Sequence, residues 1–119
     1  MTSGEPNFTI GVEEEYLLVD LESRDLVHEP PSALFDALEA ALGAQVMPEF
    51  LRAQIEVGTK VCHSVAEIRD DLIRLRATVV RIARDFGCAP IAASTHPFAS
   101  WHMQKHTDKD RYNVLAEDM

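Results

Sequence analysis

Cysteine is scarce in this chain, which has only Cys62 and Cys88 among its 119 residues. Neither lies in a CxxC pair, and the sequence therefore predicts neither a disulfide framework nor a zinc knuckle. We expect both thiols to be reduced and buried, as free cysteines usually are. An apolar core must then stabilise the fold, and a hydrophobic content of 46% is sufficient for one.

Long apolar runs and an excess of basic residues are also absent. No apolar stretch approaches the roughly 20 residues of a membrane span, and the N-terminal MTSGEPNF lacks the basic and apolar regions of a leader. Eleven basic against twenty acidic residues give a formal charge of -9, which argues against contact with a nucleic-acid backbone. We therefore expect a cytoplasmic protein with no membrane or nucleic-acid partner. Cations are more natural partners than nucleic acids for a chain of this charge.

What the chain does have is a run of three glutamates inside a segment built like a core strand, FTIGVEEEYLLVD. Side chains alternate along a strand, so Glu13 and Glu15 share one face, about 7 Å apart. Glu14 then joins the opposite, apolar row with Tyr16 and Leu18. A carboxylate in such a row is costly unless it is paired, protonated or bound to a metal. A divalent cation would also relieve the repulsion between Glu13 and Glu15; the alternative is an edge strand whose glutamates are simply solvated.

Two helices are clear from hydrophobic periodicity. The longer one covers residues 64–86, where Ser64 and Glu67 form a capping box and Gly87 provides the stop. A shorter helix opens at Pro30 and Pro31 and ends at Gly43. On the long helix we expect most charged side chains to face solvent: Arg69, Asp70, Asp71, Arg74, Arg76, Arg81 and Arg84.

The remaining segments predict strands and a last helix. Residues 45–62 alternate with period two, and Pro48 indicates either a break between two short strands or an edge position. Residues 88–93 form a short buried strand, and residues 108–119 form the final helix. A polar turn at residues 22–25 suggests a hairpin. This mixed order indicates the α+β class, with one domain over 1–119, a mainly antiparallel sheet, helices on one face and an open polar face on the other.

Two groups of polar residues have both a functional and an ordinary explanation. The row Arg52, Gln54 and Glu56 is either part of a site or a solvated sheet face. His96, at a strand end, is either a ligand or phosphate contact or a plain hydrogen-bonding residue. His102 and His106 lack an HExxH pattern, and we expect no zinc site there.

Four pieces of the chain, taken in order, carry a resemblance: GVEEEY at 11–16, QIE at 54–56, THPF at 95–98 with Trp101, and Arg111-Tyr112. Together they resemble the N-terminal part of the type 2 glutamate-cysteine ligases, also called carboxylate-amine ligases, which are similar in fold to glutamine synthetase. The resemblance implies an ATP-dependent ligase. Such an enzyme phosphorylates the side-chain carboxylate of glutamate, and an amine, typically that of cysteine, then displaces the phosphate.

The resemblance also implies roles for particular residues. Glu13, Glu15 and Glu56 would bind Mg²⁺ or Mn²⁺, which prefer oxygen ligands. Contacts with metal or nucleotide phosphate would come from His96 and Arg111, and substrate contacts from Gln54 and Arg52. No catalytic side chain can be assigned on this basis.

Members of the family are several times longer than this chain. The resemblance covers about the first third of their length. We therefore expect residues 1–119 to be the N-terminal portion of a larger catalytic domain, inactive alone, and to form a homo-oligomer through sheet edges or the apolar face of the long helix. The alternative is a non-catalytic acidic α+β module that self-associates through its sheet. Magnesium-dependent ATP binding would distinguish the two.

Overall fold

The computed structural model describes residues 6–49 and 51–118, together with the backbone but not the side chain of Trp101. Its elements, in chain order, are β1 (Glu13–Asp20), α1 (Ser32–Leu42), a 3₁₀ turn (Gly43–Gln45), β2 (Val46–Pro48), β3 (Gln54–Gly58), α2 (Val65–Asp85), β4 (Cys88–Ile91), a second 3₁₀ turn (Trp101–Met103) and α3 (Asp110–Glu117). The predicted α+β class is confirmed. None of the described helices is long and apolar enough to cross a bilayer.

The strands form one sheet in the order β2-β3-β1-β4, with each neighbouring pair antiparallel. The central strand β1 pairs with β3 along residues 13–17 and with β4 along residues 17–20. Beyond β1 the chain turns back, and Val19 forms an isolated bridge with Leu26, which is the predicted hairpin in minimal form. The mainly antiparallel sheet is therefore as predicted.

Helices α1 and α2 pack on the same face of this sheet. Their buried leucines, Leu34, Leu38 and Leu75, join Leu18 of β1 and Val57 of β3 in the main core. Each such side chain contributes about 1.5–3 kcal/mol when fully buried. Cys62 and Cys88 are buried free thiols, as expected. The prediction of helices on one face is thus confirmed for the two longest helices.

Glu14 lies in the apolar row of β1, as the alternation predicts, and it is paired. Arg76 of α2 grips its carboxylate through two donors, with Nε at 2.8 Å from Oε1, and the Tyr16 hydroxyl donates to Oε1 at 2.7 Å. The hydrogen bond from Arg76 is the main reason that the pKa of Glu14 lies below its usual value. An ion pair to α2, not a metal, therefore compensates this carboxylate.

The ends of the helices follow local signals. Ser64 accepts the N–H of Glu67 at 3.2 Å, and the Glu67 carboxylate accepts the N–H of His63 at 2.9 Å. Gly43 and Gly87 adopt φ values of 58° and 71°, which side-chain-bearing residues rarely tolerate. The cap at Ser64 and both glycine stops are confirmed, and the return bond of the capping box goes to His63, one residue before Ser64.

Asp71 on α2 is wrongly predicted to face solvent, because its side chain is 5% exposed. The Lys60 N–H donates to its carboxylate at 2.8 Å and the Gln45 amide at 3.0 Å, while Arg74 pairs with it from one turn along the helix. These partners come from distant parts of the chain. Helical periodicity alone cannot reveal them.

The prediction of an open polar face is wrong for half of the sheet. Opposite the helices, Leu17, Leu26 and Ala53 form a second buried cluster, against which Ile91 and Ala99 pack. The cause is the chain beyond β4, which returns across this face after residue 94. Ala53 lies in the turn before β3 and joins this cluster, not the helix-side core. Glu13 and Glu15, at the other end of this face, are exposed.

Candidate metal centre

The centre of the candidate site is a cross-strand pair of carboxylates. Glu15 of β1 stands directly opposite Glu56 of β3 in the antiparallel register. Side chains opposite each other on such a pair have their Cβ atoms about 5 Å apart. The row of Glu13 and Glu15 and the row of Gln54 and Glu56 therefore meet on the face away from α1 and α2.

A third carboxylate comes from the end of the edge strand. Met47 of β2 lies opposite Glu56 on its other side, and Glu49, two residues later, has the same parity along the chain. One oxygen from each of Glu15, Glu49 and Glu56 lies within 4.8 Å of the others. We call these three residues the carboxylate triad.

The triad is electrostatically strained without a cation. A hydrogen bond with Glu49, then burial, then the charges of Glu13, Glu49 and Glu15 raise the pKa of Glu56 to about 7. Within residues 6–49 and 51–118, no basic side chain forms an ion pair with Glu15 or Glu56. Near neutral pH a proton on Glu56 therefore offsets its repulsion with Glu49. A divalent cation could replace this proton.

Helix α3 contacts the triad through Tyr112. This side chain is 7% exposed, and its hydroxyl is hydrogen bonded to Glu49; burial first, and the charge of Glu49 second, raise its pKa. Arg111 is exposed and lies over the Tyr112 ring, with Cζ 5.5 Å from the ring centroid. The structure thus places Arg111 next to the residue that orients Glu49, and not in the triad itself.

Glu13 is close to the triad but outside it. It faces Gly58 across the β1–β3 pair, and its charge contributes to the raised pKa of Glu56. Together with Glu15, Gln54 and residues 92–94, it lines a cavity of about 350 Å³. We call this space the acidic cavity.

Gln54 stands between two cavities, since it also lines a mainly apolar one of about 430 Å³ at the N-terminal end of α1. Arg52 lines that second cavity only. Its guanidinium donates to the carbonyl of His106 at 2.9 Å and to Glu29 at 3.3 Å. The predicted substrate residues are therefore neighbours, but Gln54 alone reaches the acidic cavity.

His96 has its own hydrogen-bonding partners in the structure. It is 8% exposed; Nε2 lies 2.8 Å from the carbonyl oxygen of Arg24, and Nδ1 accepts the N–H groups of Phe98 and Ala99 at 3.2 and 3.1 Å. The triad does not include it. Its contact with metal or phosphate stays a prediction.

Sequence reasoning brought Glu13, Glu15 and Glu56 together but missed Glu49. The available signal was parity: Glu49 directly follows β2 and has the same parity as Met47, which pairs with Glu56 of β3. Using it required the register of β2 against β3. The sequence left open whether Pro48 marks a break or an edge position, and neither interpretation gives that register; in the structure β2 is an edge strand that ends at Pro48.

Comparison with known proteins indicates the same family as the motifs do. The model of the family described as glutamate-cysteine ligase family 2 matches residues 9–119. The chain belongs to this family. All four motifs of the resemblance, and every member of the triad, fall inside the matched range.

Curated relatives in the glutamate-cysteine ligase family 2 carry the name "Putative glutamate--cysteine ligase 2". The one from Rhodospirillum rubrum is 60% identical over 119 residues, covering 97% of this chain and 31% of the relative. Those from a Jannaschia species and from Paracoccus denitrificans are 58% and 56% identical, covering 99% and 97% of this chain. The chain spans about 31% of the length of the Rhodospirillum and Jannaschia relatives.

Proposed function

We propose that this protein is the N-terminal portion of an ATP-dependent carboxylate-amine ligase. The reaction activates the side-chain carboxylate of glutamate as an acyl phosphate, and an amine such as that of cysteine attacks it. Family membership supports the reaction class, and the names of the relatives support the substrates. The observation that carries the proposal is the carboxylate triad.

The triad fits Mg²⁺ or Mn²⁺ by chemistry and by size. Both ions favour carboxylate oxygens, and Mg²⁺ holds its ligands octahedrally at about 2.0–2.1 Å, so that ligand oxygens lie about 3–4 Å apart. The triad oxygens lie within 4.8 Å of each other, and small rotations of long glutamate side chains would close them to that spacing. Loss of the proton from Glu56 would accompany binding.

The proposed roles follow from where each side chain lies. Glu15, Glu49 and Glu56 hold the ion, and Tyr112 keeps Glu49 oriented through its hydroxyl. Glu13, which lines the acidic cavity together with Glu15, is a further acidic ligand or water contact. A bound ion would neutralise charge on phosphoryl oxygens, which is the main requirement of phosphoryl transfer.

The polar side chains around the triad complete the proposal. Gln54, which borders both cavities, is placed to hydrogen-bond the substrate carboxylate. Arg52 has N–H groups beyond those that bind His106 and Glu29 with which to meet a substrate, and exposed Arg111 is available to a nucleotide phosphate. A cytoplasmic location, a homo-oligomer and inactivity of the 119 residues alone stay predictions.

Calorimetric titration of the protein with Mn²⁺ and with Mg·ATP tests the proposal. We expect Mg·ATP to bind and ATP without a divalent ion not to bind. Glu15→Gln or Glu56→Gln should weaken Mn²⁺ binding at least tenfold, because the amide keeps the shape and removes the charge. Glu39→Gln, on the exposed side of α1, is the matched control and should bind as the parent does.

Two results would refute the ligase. Mn²⁺ binding without any binding of Mg·ATP would favour the alternative, a non-catalytic acidic module. Equal Mn²⁺ affinity in the parent, Glu15→Gln and Glu56→Gln would show that the triad is not a metal site.

A further inference from the structure

Residues 92–99 form a connection that has few ties to the rest of the fold. They follow β4 and precede the 3₁₀ turn at 101–103. Among the described residues, no backbone–backbone hydrogen bond joins 92–99 to another part of the chain. Such a segment keeps one conformation only if side chains hold it.

His96 supplies those ties. Its ring lies edge-on to Phe98, with centroids 4.4 Å apart, but Phe98 is 63% exposed and its packing restrains little. The hydrogen bonds of the imidazole are stronger restraints. Nδ1 accepts the backbone N–H groups of Phe98 and Ala99, which closes a turn. Nε2, on the other side of the ring, is hydrogen bonded to the carbonyl of Arg24 in the loop after β1.

The partners of His96 determine its tautomer. Because Nδ1 accepts two backbone N–H groups, it carries no proton, and Nε2 must carry the proton of the neutral ring and donate it to the Arg24 carbonyl. A neutral imidazole has one lone pair for a metal. Here that lone pair faces Phe98 and Ala99.

The segment held in this way borders the acidic cavity. Ala92, Ala93 and Ser94 line the cavity together with Glu13 and Glu15. On the other side of His96, Ala99 packs on the buried cluster that contains Leu17. Along the chain, His96 therefore lies between residues 92–94, which line the cavity, and Ala99, which packs on the neighbouring part of the sheet.

We propose that His96 is a positioning residue: it fixes the segment 92–99, whose first three residues line the acidic cavity, and does not ligate the metal. This role rests on the proposed function only in so far as the cavity is the site. It accounts for a buried histidine that lies outside the triad and has both nitrogens engaged.

Three substitutions separate positioning from ligation. In His96→Asn the side-chain oxygen can replace Nδ1 as acceptor for Phe98 and Ala99, in His96→Gln the amide nitrogen can reach towards Arg24, and His96→Ala can do neither. Amide hydrogen exchange of Phe98 and Ala99 reports the segment, and Mn²⁺ affinity by calorimetry reports the triad.

We expect His96→Ala to speed exchange at Phe98 and Ala99 at least tenfold and His96→Asn to restore most of the protection. Mn²⁺ affinity should stay within twofold of the parent in all three variants. A tenfold loss of Mn²⁺ affinity in His96→Asn with Phe98 and Ala99 still protected would overturn the proposal and make His96 a ligand.

Unchanged exchange in His96→Ala would also overturn it, since the segment would then not depend on the imidazole. If His96→Ala does not fold, the comparison of His96→Asn with His96→Gln decides, because only the first can keep the turn onto Phe98 and Ala99. If the parent binds no Mn²⁺, the metal centre fails, while the exchange rates still decide the role of His96.

Discussion

Glu15 and Glu56 face each other directly across the β1–β3 pair, and the environment of this pair raises the pKa of Glu56 from 4.5 to about 7. A raised carboxyl pKa means that the folded state binds the proton more tightly than the unfolded state. Glu56 is therefore neutral below about pH 4.5 in both states, and its contribution to stability falls as the pH rises from 4.5 towards 7.

We predict that the melting temperature of the metal-free protein falls between pH 5 and pH 8 and that saturating Mn²⁺ raises it more at pH 8 than at pH 5. Glu56→Gln should remove most of this dependence, since the amide does not titrate. Calorimetric melting at both pH values, with and without Mn²⁺, is the measurement. A parent whose melting temperature is the same at both pH values would contradict the raised pKa.

Glu49 offers a sharper test of the triad, because it was not expected from the sequence. Glu49→Gln should weaken Mn²⁺ binding at least tenfold and shift the Glu56 titration downwards, as it removes one negative charge beside it. The Glu56 carboxyl shift, followed by NMR against pH, and calorimetry with Mn²⁺ provide the two readings. Glu29→Gln, which alters an exposed glutamate bonded to Arg52 and Lys105, is the control and should leave both unchanged.

Local sequence signals predicted a large part of this fold. The capping box at Ser64 and the stop at Gly87 depend on neighbours in the chain, and alternation along β1 is enough to separate Glu14 from Glu13 and Glu15. Each of these features needs information from one element only. That is why they could be predicted without the structure.

The errors concern relationships between distant segments. Glu49 joins the triad only through the register of β2 on β3. Asp71 is buried because Gln45 and Lys60 approach it from elsewhere, and the sheet face is half covered because residues 95–99 return over Leu17. No periodicity within one element contains this information.

Adjacent glutamates on β1 should respond in opposite ways to loss of charge. Glu14→Gln removes the carboxylate that Arg76 and Tyr16 bind and should lower the free energy of unfolding by about 1 kcal/mol, a modest value because Arg76 is half exposed. Glu15→Gln relieves repulsion with Glu56 and should leave the metal-free protein as stable or slightly more stable. Urea unfolding at pH 7 compares them. Destabilisation by Glu15→Gln that equals that of Glu14→Gln would show that Glu15 also has a stabilising partner.

Asp71 and its neighbour Asp70 provide the last comparison. Asp71 is buried among the Lys60 N–H, the Gln45 amide and Arg74, while Asp70 is exposed on the same helix. Burial raises the pKa of Asp71, but the hydrogen bonds from Lys60 and Arg74 outweigh it, and the net pKa is below 3.8. A lowered carboxyl pKa stabilises the fold above the unfolded value and loses this effect as the pH falls through the folded value.

Asp71→Asn should therefore lower the free energy of unfolding at pH 7 by about 2 kcal/mol, because an amide can accept fewer of these hydrogen bonds and leaves Arg74 without its counter-charge. The loss should shrink as the pH falls below the unfolded value of 3.8, because the unfolded parent then takes up a proton that the folded carboxylate still resists. Asp70→Asn should change stability by less than about 0.5 kcal/mol. Urea unfolding of the parent and both variants at pH 7 and pH 3.5 tests this, and equal effects of the two substitutions at pH 7 would mean that Asp71 does not hold α2 against the segment around Lys60.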